Sequence, residues 1–392
     1  MKQYLDMVKY VLENGERKEN RTGTATLSTF SYFYKVNLQE GYPMLTTKKV
    51  FFNSMLHELF WYLSGDEHIK ELRTKTKIWD AWADSEGRLE TAYGRFWRKY
   101  PVPEVGLDGE AWDREKWTKR DENGQLVFDQ IQYIIDSLKE IKKNPNHPNL
   151  RRLIVLAWNP ANASISKLPP CHYTFAFNVM GNKLNCHLTQ RSGDVALGIP
   201  FNLACYSLLT MMIAKETGFE PGEFAHTIID CHVYENHVEG LKEQLKRTPR
   251  ELPKLNIADK AFDELGFDDI TVEGYEPDPV IKFEVACMGY FYLTNFLKKG
   301  EKVDTHDINF FIHKITEDYI QRAIIENSEL EEKRLKELQN IDENGNLENG
   351  YELQKLSERF KYLDLLYRNL IIKTKEVREE GLKIIKNSDI NL

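Results

Sequence analysis

Leu168-Pro169-Pro170-Cys171-His172 lies in a strand-rich part of the chain, and the polar loop Gln190-Arg191-Ser192-Gly193-Asp194 follows it. A thiol becomes a nucleophile only as the thiolate, and a nearby guanidinium favours that form. A cysteine after two prolines is by itself more often structural than reactive. The arginine-centred segment close by makes Cys171 a candidate nucleophile.

Strand patterns surround these two stretches. Residues 153–158 predict a strand, and residues 173–179 and 184–188 predict a hairpin across the turn at Gly181-Asn182. An alternating pattern predicts a further strand over 27–36. We therefore expect a sheet that extends from the start of the chain into its middle.

Helical patterns alternate with these strands. The chain opens with apolar residues at helical spacing, and residues 53–64 predict a helix that ends at Gly65. Further helices are predicted over 129–143, from Pro200 to Gly218, and within 228–245 after a strand. The alternation predicts an α/β (α+β) fold.

Two segments depart from this pattern. Residues 100–127 are rich in proline, glycine and charge, which predicts a surface insertion. Residues 287–392 carry long helical patterns, and Ser328-Glu329-Leu330-Glu331 is typical of a capping box. We expect a domain over 1–286 and a helical extension over 287–392.

The composition narrows the function classes. A formal charge of −8 argues against general nucleic-acid binding, although it leaves local basic pockets possible. The chain has five cysteines without paired spacing, and Cys186, Cys205 and Cys231 lie in apolar runs typical of a reduced core. No signal-peptide core or membrane-length apolar run is present, so a cytoplasmic protein is expected.

Several short motifs occur in order along residues 1–286. They are Arg21-Thr22-Gly23-Thr24, Thr46-Thr47-Lys48, His57-Glu58-Leu59, Ile78-Trp79-Asp80, Tyr93-Gly94, Arg151-Arg152, Pro170-Cys171-His172, Gln190-Arg191-Ser192, Asp194, Gly198-Ile199-Pro200-Phe201-Asn202, and Asp230-Cys231-His232-Val233-Tyr234. Each is weak alone. Together they resemble the thymidylate synthase family, which implies a three-layer fold with a large mixed sheet.

The resemblance implies a catalytic set of Cys171, Glu58, Tyr93, Asp194 and Asn202. Cys171 adds to C6 of dUMP, which turns C5 into a nucleophile. Asn202 suits uracil because its carbonyl accepts from N3–H and its amide donates to O4. Glu58 manages proton transfer, and Tyr93 and Asp194 assist proton removal. From the residues alone, Glu58 could also be a salt-bridged helix residue, and Asn202 a helix cap.

The resemblance also implies two binding sets. The dUMP set comprises Arg21, Arg151, Arg152, Gln190, Arg191, Ser192, Asn202, His232 and Tyr234. The set for the co-substrate 5,10-methylenetetrahydrofolate comprises Lys48, Ile78, Trp79, Leu168, Asp194, Gly198 and Phe201.

The family's Arg151-Arg152 pair reaches the phosphate of the neighbouring subunit, so a homodimer is implied. Adjacent arginines by themselves are more often solvated or salt-bridged. No metal is expected, because no second cysteine or histidine pair joins Cys231-His232 and His237 at ligand spacing.

Three departures from the family pattern bear on the product. Glu90-Thr91-Ala92 precedes Tyr93, Gly193-Asp194-Val195-Ala196 surrounds the aspartate, and the chain continues past Ala286, where the family's terminal carboxylate closes the site. Smaller side chains in the pocket wall and the loss of the closing terminal carboxylate both favour reaction of the transferred carbon with water over reaction with hydride. The sequence therefore predicts a deoxyuridylate hydroxymethyltransferase like those of phages with hydroxymethyluracil in DNA. The alternatives are a thymidylate synthase and a catalytically idle nucleotide-binding scaffold.

Overall fold

The computed structural model describes residues 1–20, 24–80, 82–83, 86–89, 92–102, 114–166 and 168–283, all within one compact unit, Met1–Ala286. The predicted helical extension over 287–392 lies outside the described residues and stays a prediction. None of the described helices is both long and apolar enough to cross a membrane.

Helices and strands alternate along the described chain. The helices are α1 (Lys2–Asn14), α2 (Phe52–Ser64), α3 (Lys70–Arg73), α4 (Tyr93–Arg98), α5 (Arg114–Trp117), α6 (Gln130–Lys143), α7 (Pro160–Ile165), α8 (Gly198–Thr217) and α9 (Val238–Leu245). The strands are β1 (Glu16–Lys18), β2 (Thr26–Asn37), β3 (Tyr100–Pro101), β4 (Thr118–Arg120), β5 (Leu126–Phe128), β6 (Ile154–Leu156), β7 (Thr174–Met180), β8 (Lys183–Asp194), β9 (Glu220–Tyr234), β10 (Lys254–Ile257) and β11 (Ile270–Glu273).

A six-stranded mixed sheet organises the unit, with the strand order β1-β2-β9-β8-β7-β6. β8 and β9 are parallel, and the other neighbours are antiparallel. This confirms the predicted α/β class with a large mixed sheet. Because β8 pairs with β9, the site residues of these two strands lie side by side in the sheet.

Helix α8 lies at the centre of the fold. It is apolar on nearly all sides, as expected for a helix surrounded by protein. It contacts β8 and β9 of the sheet as well as α2 and α6. Gly218 ends it in the left-handed conformation (φ +74°), which confirms the predicted C-cap.

Helix α4 carries Tyr93 and packs closely against α2. A Cβ atom on Gly94 would lie 2.1 Å from the carbonyl oxygen of Tyr62, so only glycine allows this approach. α2 ends at Gly65 (φ +70°), as predicted. The close packing brings Tyr93 and the α2 residue Glu58 into one region.

One prediction of local structure was wrong. Gln190–Asp194 is not a loop, because β8 continues to Asp194 and pairs with β9 over Gln190↔Ile228, Ser192↔Asp230 and Asp194↔His232. Within residues 100–127, the described part forms a small sheet of β3, β5 and β4. These strands are too short to show a period.

Candidate active site

Arg191 holds the segment that carries Cys171. Its Nε donates to the Pro170 carbonyl at 2.9 Å, and its Nη2 donates to the Pro169 carbonyl at 2.6 Å. Its backbone N–H donates to the Cys171 carbonyl at 2.8 Å. Nη2 also lies 3.6 Å from the Cys171 sulfur. The guanidinium is thus fixed beside the thiol, where a positive charge stabilises a thiolate.

Exposure separates Cys171 from the other described cysteines. Cys171 is half-buried, whereas Cys186, Cys205 and Cys231 are buried. Burial raises the pKa of Cys186 and of Cys231 to about 12, and it raises the pKa of Cys205. The structure therefore confirms these three as core residues and leaves Cys171 as the accessible thiol among them.

An aromatic stack supports the other side of this segment. The Tyr93 hydroxyl accepts from the Cys171 backbone N–H at 2.7 Å, and the Tyr93 ring stacks on His172 with centroids 3.7 Å apart. His172 Nδ1 lies 2.6 Å from the Tyr206 hydroxyl. Burial lowers the pKa of His172 to about 3, so this imidazole is neutral. Burial also raises the pKa of Tyr93, which keeps its hydroxyl hydrogen available to donate.

Glu58 is a buried carboxyl on α2. Its Oε1 accepts from Trp79 Nε1 at 2.8 Å, and it is hydrogen-bonded to Tyr62. Burial raises its pKa to about 7, although both hydrogen bonds act in the opposite direction. Near neutral pH this carboxyl can therefore both hold and release a proton, as a general acid–base group must.

Asn202 lies near the N-terminus of α8, and Gln190 of β8 determines which way its amide points. Gln190 Nε2 donates to the Asn202 Oδ1 at 3.1 Å and to the Ser192 carbonyl at 2.9 Å. Gln190 Oε1 lies 3.0 Å from Nε2 of the buried His226. His226 Nδ1 lies 2.9 Å from the Tyr34 hydroxyl. These contacts connect four strands or helices through one buried polar chain.

Asp194 ends β8 and accepts from the backbone N–H groups of Ala196 at 2.9 Å and Leu197 at 3.3 Å. Its Oδ1 lies 3.7 Å from His237 Nδ1. Burial acts to raise the pKa of Asp194, but the hydrogen bond and charge of His237 hold it below its usual value. The residue is thus an ionised carboxylate next to the candidate site.

The family-level comparisons agree with this geometry. A family model described as thymidylate synthase matches residues 2–287. A thymidylate synthase of Haloferax volcanii is 47% identical over 336 residues, which cover 72% of this chain and 95% of that protein. The chain belongs to the thymidylate synthase family. It is therefore an enzyme of a family of one-carbon transferases that use methylenetetrahydrofolate as co-substrate. Neither finding supports the phage hydroxymethyltransferase subtype.

The structure places several of the predicted site residues in contact with one another, in separate groups. Contacts join Cys171 with Arg191 and Tyr93, Glu58 with Trp79, and Gln190 with Asn202. The rings of His232 and Tyr234 lie 5.3 Å apart on β9, and His232 Nδ1 lies 3.2 Å from the Asp230 carbonyl. These two side chains are adjacent, as their alternation on a strand predicted.

Other predicted residues are placed differently. Arg21 lies outside the described residues. Arg151 and Arg152 are exposed, and no contact within the described chain joins their side chains to Cys171. The ammonium of Lys48 is buried, donates to the Ala196 carbonyl and lies over the Phe283 ring. Burial lowers its pKa to about 8.

The residues predicted for the folate include exposed apolar surface. Ile78 is 40% exposed, and Trp79 packs its ring against Trp61, Tyr62 and Tyr93. Leu168, Gly198 and Phe201 are partly buried. An aliphatic side chain beside a fixed indole offers a surface that suits a flat ring. Within the described residues, no cluster of histidine, cysteine or carboxylate side chains could hold a metal ion.

One argument from sequence is overturned. Gly193 does not widen the pocket, because a Cβ atom there would lie 2.7 Å from Ile199 Cδ1 and 2.8 Å from Ile228 Cγ2. Val195 and Ala196 are fully buried. The space that a larger side chain would occupy is therefore filled by core isoleucines. Of the other changed segment, Glu90 and Thr91 lie outside the described residues, and Ala92 is buried.

The sequence did not single out several residues that support this site. His172, Tyr206, His226 and Tyr34 are buried polar groups that connect to Cys171 or Asn202. The available signal was weak, since histidine next to the nucleophile and alternating polar residues within apolar strands are common. Their partners become evident only from the sheet register.

Proposed function

We propose that this protein is a thymidylate synthase, which converts dUMP and 5,10-methylenetetrahydrofolate to thymidylate and dihydrofolate. The proposal rests above all on Cys171, which is half-buried with a fixed guanidinium 3.6 Å from its sulfur. The similarity to a thymidylate synthase along 95% of that protein supports the same activity.

Cys171 is the nucleophile. Its thiolate adds to C6 of the uracil ring, the C5–C6 double bond opens, and the electron pair moves toward O4. Arg191 stabilises the thiolate before attack and keeps the Pro169-Pro170-Cys171 segment in place through three hydrogen bonds to its carbonyls. The sulfur is therefore positioned before the substrate arrives, which lowers the entropic part of the barrier.

Asn202 and Tyr93 handle the pyrimidine. The Asn202 Oδ1 already accepts from Gln190 and has a second lone pair for N3–H of uracil, while its amide donates to O4. This donor faces the oxygen on which negative charge develops, so it stabilises the enolate. Tyr93 accepts from the Cys171 backbone and keeps its hydroxyl hydrogen for a substrate or water oxygen.

Glu58 holds and moves a proton at the pyrimidine. Its raised pKa, about 7, lets it deliver a proton toward O4 and take it back without a large energetic gap. Trp79 and Tyr62 fix its position. The folate supplies the one-carbon unit and, for thymidylate, the hydride.

Whether hydride or water reacts with the transferred carbon depends on how well the surrounding residues exclude water from it. Gly193 opens no space there, because a Cβ atom would meet Ile199 and Ile228, and Val195 and Ala196 are buried. This weakens one of the three arguments for hydroxymethylation. The other two concern Glu90-Thr91 and the chain beyond Ala286, which lie outside the described residues.

A homodimer belongs to the proposal. The sheet presents large exposed apolar side chains, including Phe33 of β2 and Ile154 and Leu156 of β6. A face of this kind is typical of a protein interface. Arg151 and Arg152 are exposed, so they can reach the phosphate bound to a second subunit.

Product analysis tests the reaction. Wild-type protein is incubated with dUMP and methylenetetrahydrofolate, and the nucleotides and folates are separated. We expect thymidylate with stoichiometric dihydrofolate. Accumulation of 5-hydroxymethyl-dUMP with tetrahydrofolate would instead establish the hydroxymethyltransferase.

Variants of two cysteines test the mechanism. Cys171→Ala should abolish turnover and keep dUMP binding, because it removes only the nucleophile. Cys186→Ala, which changes a buried cysteine of β8, should retain turnover. Unchanged turnover in Cys171→Ala contradicts the proposed nucleophile.

A further inference from the structure

The buried polar chain behind Asn202 has a defined hydrogen-bond direction, and the Ser192 carbonyl sets it. A carbonyl oxygen only accepts, so the Gln190 atom that lies 2.9 Å from it must be the amide nitrogen. The same nitrogen then donates to Asn202 at 3.1 Å, which requires the Asn202 atom on that side to be Oδ1. The orientations of both amides follow from one backbone group.

The direction continues into the sheet. Gln190 Oε1 faces His226 Nε2 at 3.0 Å, so that nitrogen must carry the hydrogen. His226 is fully buried and burial lowers its pKa to about 3, so the ring is neutral and its Nδ1 has no hydrogen. Tyr34 must then donate to Nδ1 at 2.9 Å. Burial raises the pKa of Tyr34, which keeps this donor protonated.

The sheet register explains why these residues meet. Tyr34 of β2 lies directly opposite His226 of β9, and Leu188 of β8 lies opposite His226 on its other side. Gln190 follows Leu188 by two residues and therefore points to the same face. Tyr34 and His226 touch neither Cys171 nor Arg191 through any hydrogen bond of the described chain.

We propose that Tyr34 and His226 are positioning residues that strengthen the discrimination between uracil and cytosine by stabilising the Asn202 amide orientation that the Ser192 carbonyl selects. This inference rests on the proposed function, since it concerns the same pyrimidine site. Cytosine presents an acceptor at N3 and a donor at N4, so it requires the Asn202 amide to be turned over.

Turning the Asn202 amide over changes the hydrogen bonds of Gln190, His226 and Tyr34 in succession. Gln190 must turn over as well, which places its oxygen against the Ser192 carbonyl. His226 must move its hydrogen to Nδ1. Tyr34 then accepts instead of donating, and its hydroxyl hydrogen has no other acceptor in the described part of the chain. An unsatisfied buried donor shifts such an equilibrium by about tenfold.

Tyr34→Phe removes the part of this bias that Tyr34 adds, because either His226 tautomer then leaves Nδ1 unsatisfied, while the Ser192 carbonyl still favours the original Gln190 orientation. Binding of dUMP and of dCMP is measured by calorimetry, and we expect the ratio of the two dissociation constants to fall about tenfold. A loss of general stability leaves the ratio unchanged, because both nucleotides share the sugar and the phosphate. Tyr42→Phe is the matched control: it removes a buried tyrosine hydroxyl that donates to the Ala204 carbonyl of α8.

A second measurement is independent of nucleotide binding. In protein labelled with ¹⁵N-histidine, the His226 signals are assigned by their loss in His226→Gln, and the wild type should show the tautomer with hydrogen on Nε2. Tyr34→Phe should show a larger fraction of the tautomer with hydrogen on Nδ1 than the wild type does. This measurement on the wild type alone decides the geometry if Tyr34→Phe does not fold.

The outcomes separate the two proposals. Wild-type protein that binds neither nucleotide contradicts the proposed function, while the tautomer still tests the hydrogen-bond direction. A ratio of dissociation constants that is unchanged in Tyr34→Phe, or that falls equally in Tyr42→Phe, overturns the positioning role. A wild-type hydrogen on Nδ1 of His226 overturns it too.

Discussion

Replacing Glu58 with glutamine measures what it costs to bury one carboxylate in the site. Burial raises the pKa of Glu58 from its usual 4.5 to about 7. Because the folded state holds this proton more tightly, its contribution to stability is complete below about pH 4.5 and is lost as the pH rises through about 7. At about 1.4 kcal/mol per pKa unit, ionisation in the folded state costs about 3 kcal/mol.

Glutamine keeps the shape and the acceptor for Trp79, and it cannot ionise. Glu58→Gln should become more stable relative to wild type as the pH rises. From about pH 5 to about pH 8.5, we expect the difference in unfolding free energy between the two proteins to shift by about 2 to 3 kcal/mol in favour of Glu58→Gln. Urea unfolding of both proteins at the two pH values measures this difference. Its kcat should fall by about a hundredfold or more, because the proton carrier is lost.

The control for this prediction is an exposed carboxylate. Glu13→Gln on α1 changes a side chain that lies 3.8 Å from Lys9 at the surface. Its unfolding free energy should stay within about 0.5 kcal/mol of wild type at both pH values. If Glu58→Gln shows the same difference from wild type at low and high pH, burial does not raise the pKa of Glu58 and the reasoning fails.

Three further substitutions test the surroundings of Cys171 and the packed wall. Arg191→Lys keeps the charge but cannot hold both proline carbonyls, so kcat should fall about tenfold to a hundredfold in steady-state assays, while an unchanged kcat contradicts the clamp. Tyr93→Phe removes the acceptor for the Cys171 N–H and should lower kcat about tenfold with little change in dUMP affinity; a loss confined to affinity contradicts this role. Gly193→Ala should destabilise the protein by about 1 to 3 kcal/mol in urea unfolding, because its Cβ meets two isoleucines. An unchanged unfolding free energy would show that the pocket wall has room for a side chain at this position.

The sequence predicted the long elements well because periodicity and end signals agreed there. α2 and α8 both end at glycines in the left-handed conformation, as their sequences indicated. The end of β8 was not predicted, since Gln190–Asp194 has the polar composition of a loop and becomes a strand through pairing with β9. β3, β4 and β5 are too short for any period.

The residues of the candidate site also differ in how well the sequence predicted them. Cys171 and Asn202 could be predicted because each stands within a short local motif. Tyr34 and His226 could not, because they are far apart in sequence and meet only when β2 and β9 pair. The effect of Gly193 was also misjudged, since a missing side chain opens space only if no neighbour fills it. That question depends on Ile199 and Ile228, which the local sequence does not connect to Gly193.

The electrostatics of the site follow from what burial does to each group around Cys171. Burial makes His172 neutral and keeps Tyr93 protonated, while Glu58 carries only part of a charge near neutral pH. Arg191 is thus the fixed full charge that the described contacts place at the sulfur. Because these neighbours are neutral or only partly ionised, they do not cancel the charge of the guanidinium at the thiolate. Arg191 therefore favours the thiolate form of Cys171, whereas burial raises the pKa of Cys186 and Cys231.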